Sequence, residues 1–124
     1  MMKQPIRVLV VEDEVLTAMC LEMELKQAGY DVLRPVATGE EAVLIAQQEP
    51  LDLILMDIRL AGEIDGIEAA QQIQTICDTP IIFMTGYPDK ETEQRAQALT
   101  PLGYLRKPMT IYDLQLRIEA GLHK

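Results

Sequence analysis

The chain has 124 residues, a net charge of −9, 48% hydrophobic residues and 25% charged ones. That is one domain's length, enough to bury a core without staples, so residues 1–124 are read as a single domain. The acidic balance argues against a nucleic-acid interface, which needs clustered Lys and Arg; with no 18-residue apolar run and charge throughout "MMKQPIRVLVVEDE", a cytoplasmic protein with no membrane span is expected.

The first predicted strand is residues 6–11, "IRVLVV", and it runs straight into Glu12, Asp13 and Glu14. Neighbouring carboxylates resist ionising together unless a cation holds them, which makes this strand end a candidate metal site. A helix follows in "EVLTAMCLEMELKQAG", with Gly29 suited to its C-terminus. On it, Thr17, Leu21, Leu25 and Ala28 form a stripe expected to face the sheet. Leu16, Met19 and Met23 form a second stripe on roughly the opposite side, expected to meet a partner. Cys20 and Cys77 lack the spacing of a zinc or redox pair and are expected to be small buried hydrophobes. His123 has no partner pattern and carries no role.

The second strand is predicted over residues 31–37, "DVLRPVA", and Thr38 is placed to cap the helix "TGEEAVLIAQQE". The third strand, residues 51–57, ends in Asp57 and leads to the helix "DGIEAAQQIQTIC". The fourth, residues 80–85, ends in Thr85. The helix after it, "DKETEQRAQAL", is expected to stop early ahead of Pro101. The fifth strand, residues 103–107, ends in Lys107, and Thr110 caps the closing helix "TIYDLQLRIEAGL".

Aliphatic strands alternating with amphipathic helices predict βαβ units: an α/β fold with an open, doubly wound, five-stranded parallel sheet and five helices. Sites in such sheets form at the carboxyl ends of the strands. There the chain places Glu12, Asp13, Asp57, Thr85 and Lys107. Clustered carboxylates offer the hard oxygen ligands that suit Mg²⁺. The Lys ammonium and Thr hydroxyl add donors for an anion's oxygens, which together is equipment for phosphoryl transfer.

The ordered motifs "VLVVEDE", "LILMDIRL", "DGIEAA", "IIFMTG" and "GYLRKP" resemble those of a response regulator receiver domain from two-component signalling, over residues 6–122. The resemblance implies the flavodoxin-like receiver fold. It makes Asp57 the acceptor of a phosphoryl group from a histidine kinase's phosphohistidine, Thr85 the switch hydroxyl, Lys107 the site lysine and Tyr104 the switch aromatic. Tyr104 is then expected to turn inward once Asp57 is phosphorylated. The resemblance also implies a Mg²⁺ held by Glu12, Asp13, Asp57 and the backbone carbonyl of Arg59. The implied partners are a histidine kinase or phosphotransfer protein and a downstream protein target or output domain; a phosphorylation-dependent homodimer is a further one. The domain is then a signalling module, not an enzyme, assisting its own phosphorylation and dephosphorylation. Arg59 and Tyr87 border the family's path for the hydrolytic water, and two such large residues predict slow autodephosphorylation.

The sequence departs from the family pattern in places. "DIRLAGEIDG" has Ala61 in place of the usual Pro and one extra residue before Asp65, so the loop beside the site is longer. Gly86 follows Thr85, where Ala is usual. "FMTGY" resembles a subgroup of single-domain receivers that usually lacks an aromatic at the place of Tyr104. Two other readings are weaker. A Mg²⁺-dependent aspartyl phosphohydrolase using Asp57 as nucleophile would need a cap domain and a second Asp two residues on. A flavodoxin-like cofactor carrier would need a Ser/Thr/Gly phosphate loop where Glu12, Asp13 and Glu14 stand.

Overall fold

The computed structural model describes residues 4–122; His123, with no role expected of it, lies outside them. Strands and helices alternate as β1 (Arg7–Val11), α1 (Val15–Gln27), β2 (Asp31–Val32), α2 (Gly39–Gln48), β3 (Leu53–Asp57), α3 (Gly66–Gln74), β4 (Ile81–Thr85), α4 (Lys90–Gln97), β5 (Gly103–Arg106) and α5 (Ile111–Gly121). The sheet is parallel throughout, in the order β2-β1-β3-β4-β5. The doubly wound expectation holds, and β1 and β3 stand side by side near the centre.

Side chains alternate across a strand, so each central strand feeds two cores. Leu9, Val11, Ile54, Met56 and Phe83 pack with Ala42 of α2, Ile67, Ala70 and Ile73 of α3 and Ala96 of α4. Val8, Val10, Leu53, Leu55, Ile82 and Met84 pack with Leu21 and Leu25 of α1 and Leu114 and Ile118 of α5. Burial on both faces explains the unbroken aliphatic strands.

The second strand is shorter than its 31–37 expectation, and the reason is Pro35. Leu33 N–H donates to Val8 O, and the next parallel donor in register would be residue 35. Proline has no N–H. Val36 N–H reaches Val10 O instead, one residue out of step, and regular pairing ends. Helix α4 does stop early, at Gln97, and Thr100 takes a φ of 53° before Pro101. Gly29, at φ 100°, follows the end of α1 as expected.

On α1 the buried stripe is Ala18, Leu21 and Leu25; Thr17 is half-buried, and Ala28, which caps the C-terminus of the helix, is exposed. Leu16, Met19 and Met23 are exposed as expected. Cys20 is exposed, not buried, because the helical turn carries it to the far side from that stripe, with Met19 and Met23; Cys77 is half-buried. Among the described residues no helix is long and apolar enough to cross a membrane.

Candidate functional site

Strand β1 ends at Val11, and the next residue, Glu12, is held in line because its N–H donates to Val36 O. Its side chain is therefore carried inward at the carboxyl edge of the sheet and is buried, while Asp13 points out and is exposed. Asp57 closes β3 one strand over, is also buried, and pairs in register with Met84 of β4. One carboxylate oxygen from each of Glu12, Asp13 and Asp57 lies within 4.8 Å of the others.

Lys107 follows β5, and its N–H donates to Thr85 O, which seats it beyond the strand edge. From there its ammonium crosses the site and donates to Glu12 Oε1 at 2.6 Å and to Asp57 Oδ2 at 2.8 Å. Burial works to lower the Lys107 pKa, but the hydrogen bonds and charges of Asp57 and Glu12 outweigh it and raise the pKa above its ordinary value. Glu12 is pushed up by burial, with Asp57 adding to the rise and Lys107 opposing it. Lys107 thus pairs with two of the three clustered acids. Two buried carboxylates and an exposed third, with one ammonium among them, leave room for a further hard cation, so the donor set agrees with Mg²⁺.

The other oxygen of Asp57, Oδ1, accepts the Arg59 N–H at 3.3 Å. Thr85 is buried, and its Oγ1 accepts the Tyr87 N–H at 3.1 Å, leaving the hydroxyl proton free to donate elsewhere. Tyr104 packs against the α2–α3–α4 core, and its hydroxyl oxygen is enclosed without a hydrogen-bond partner among the described residues. Burial raises its pKa, with the charges of Glu93 and Asp89 adding to the rise. Its hydroxyl is thus already inward in this state. Two lysine contacts bring Glu12, Asp57 and Lys107 into one cluster; Asp13 sits at its mouth, and Thr85 lies on the neighbouring strand end.

The longer loop after Asp57 closes back on the end of its own strand. It leaves at Ile58 and returns beside Asp57 at Gly66, whose N–H donates to Ile58 O. A Cβ at Gly66 would run into the Asp57 carbonyl, so the loop closes tightly on the Asp57 backbone. At its far side the Glu63 N–H donates to Glu40 Oε2 at 2.9 Å. Glu40 was missed as a site neighbour because 23 residues separate the partners and no motif marks a carboxylate that caps a distant loop.

A family model described as "Response regulator receiver domain" matches residues 8–119. The chain is 35% identical over 120 residues to the "Transcriptional regulatory protein PdtaR" of Mycobacterium tuberculosis H37Rv, covering 97% of this chain and 58% of that protein. The chain thus spans little more than half the length of that curated relative. It is 43% identical, with a TM-score of 0.90, to the signal receiver domain of a modulated diguanylate cyclase from Desulfovibrio desulfuricans G20, covering 97% and 95% of the two chains. The receiver domain of the sensor histidine kinase PA1611 from Pseudomonas aeruginosa PAO1, described with a magnesium ion in its active site cleft, is 29% identical with a TM-score of 0.87. It is covered over its whole length by 98% of this chain.

Proposed function

The chain belongs to the response regulator receiver domain family, and on that premise we propose that Asp57 accepts a phosphoryl group from a phosphohistidine in a Mg²⁺-dependent step. The observation that carries this reading is Lys107 bridging Glu12 and Asp57 beside the three clustered carboxylates. An Asp57 carboxylate oxygen forms the new O–P bond as the P–N bond of the donor breaks, and the electron pair stays with the imidazole nitrogen. Lys107, already donating to Asp57, is placed to meet the charge of the transferred group's oxygens. Thr85, with its proton free, supplies a second donor. Glu12, Asp13, Asp57 and the Arg59 carbonyl are the proposed Mg²⁺ ligands; the ion would neutralise charge between carboxylates and phosphoryl oxygens. Position 59 is Arg, so the second carboxylate that a phosphohydrolase needs is not there.

The proposed donor is a histidine kinase or phosphotransfer protein that meets the exposed α1 face of Leu16, Met19 and Met23, in the cytoplasm. The product is a switched protein-interaction surface read by a downstream target or output domain. We read residues 1–124 as the one receiver domain involved.

The test is incubation with a small phosphoramidate and Mg²⁺, followed by intact-mass measurement. The parent should gain one phosphoryl group, lost on omitting Mg²⁺ and lost in Asp57→Asn. Undiminished phosphorylation of Asp57→Asn overturns the assignment.

A further inference from the structure

We propose that Glu40, at the start of α2, is a positioning residue for Asp57, acting through the loop formed by residues 58–65. The inference deepens the Mg²⁺ and phospho-acceptor reading and rests on it. The loop touches the acceptor at both ends. Its first turn presents the Arg59 N–H to Asp57 Oδ1 at 3.3 Å, and its last residue leads into Gly66 against the Asp57 carbonyl. Eight residues lie between Asp57 and Gly66, one more than the family pattern supplies, and a loop of that length needs an anchor to hold the Arg59 peptide still.

The anchor is the N-terminus of α2. Ile64 packs directly on Gly39, where an added Cβ would come within 2.8 Å of Ile64 Cγ1. Thr38 forms a parallel bridge with Ala61. The Glu40 carboxylate accepts the Glu63 N–H at 2.9 Å. Gly62 allows that approach for two reasons. Its φ of 99° belongs to glycine, and a Cβ there would lie 2.7 Å from Glu40 Oε1. Sequence and geometry agree that the loop is shaped around this carboxylate.

The competing role for Glu40 is favourable charge in the first turn of α2, which Glu41 also supplies. Glutamine separates the two roles, because it keeps an acceptor oxygen and loses the charge.

The experiment is calorimetric Mg²⁺ titration together with amide hydrogen exchange, on the parent, Glu40→Ala and Glu40→Gln. Glu40→Ala should weaken Mg²⁺ binding roughly fivefold, less than the loss of a direct ligand's hydrogen-bonded partner. It should also speed exchange at Glu63 and Arg59. Glu40→Gln should stay within about twofold of the parent in both readouts, since a neutral acceptor keeps most of a partly exposed bond. A Glu40→Ala dissociation constant equal to the parent's overturns the proposal, and so does a Glu40→Gln variant as weak as the alanine one. A parent that binds no Mg²⁺ overturns the metal reading beneath it; unchanged Arg59 exchange in Glu40→Ala then overturns the tether as well.

Discussion

The Arg59 guanidinium carbon lies 4.2 Å from the centroid of the Tyr87 ring. Each residue stands two positions after a site residue, Asp57 and Thr85 respectively, and each sends its backbone N–H back to that side chain. The stacked pair therefore links the loops that follow Asp57 and Thr85. Arg59 is exposed, and its guanidinium rests on the Tyr87 ring. A cation–π contact at a partly exposed place is worth about 0.5–1 kcal/mol, or roughly two- to fivefold in a rate it gates. Once Asp57 is phosphorylated, Tyr87→Ala should quicken decay by about that factor, because it removes the ring and frees the guanidinium. Arg59→Asn should have the smaller effect. The check is the loss of phosphoprotein with time in Mg²⁺; a Tyr87→Ala decay no faster than the parent's refutes the shielding role.

Glu12 is held above its ordinary pKa by burial. For such a group the stabilising contribution is complete below the unfolded value and is lost as pH rises through the raised folded value. Relative to its protonated form, ionised Glu12 is therefore expected to stabilise the metal-free fold less at neutral pH, although Lys107 opposes the rise. In chelator, Glu12→Gln should melt above the parent at pH 7, and the gap should vanish below about pH 4. Mg²⁺ should then stabilise the variant far less than the parent. Thermal melts with and without Mg²⁺ across pH decide it, and a variant that melts below the parent at pH 7 in chelator contradicts it.

Thr85 Oγ1 accepts the Tyr87 N–H and keeps its own proton to give. Phosphorylation places an acceptor within that proton's reach, which couples the loop after β4 to the site. Thr85→Ala should therefore uncouple partner binding from phosphorylation while Asp57 is still modified. Partner affinity that depends on phosphorylation as strongly as in the parent goes against this.

Leu16, Met19 and Met23 are 77%, 55% and 55% exposed on α1, beside the active end of the sheet. Unbranched, polarisable Met suits helix–helix docking. Changing Met19 and Met23 to Lys should slow phosphotransfer from a histidine kinase and leave phosphorylation by a small phosphoramidate unchanged. Equal slowing with both donors tells against docking.

Gly66 leaves no room for a side chain, because its Cα faces the Asp57 carbonyl. Gly66→Ala should destabilise the fold by about 3 kcal/mol, the cost of overpacking against backbone that cannot move aside. Denaturant unfolding measures it, and a loss near zero shows that the loop can shift off the acceptor.

The alternation of strands and helices, the open parallel sheet and the strand-end positions of Glu12, Asp57, Thr85 and Lys107 were legible in the chain. Each depends on local periodicity and on the general rule that strand carboxyl ends face one crevice. The early end of α4 was legible too, because proline acts on its own neighbours. Contacts between distant residues were not. Lys107 meets Asp57 across 50 residues, and Glu63 meets Glu40 across 23. Such pairings depend on where helices settle against the sheet, to within the reach of one hydrogen bond. The same holds for the Arg59–Tyr87 stack, the slipped pairing after Pro35 and the outward face of Cys20. Residue types and spacing determined what chemistry the strand ends can perform. Only packing decided which groups hold the acceptor still, since a hydrogen bond requires a geometry that periodicity does not carry.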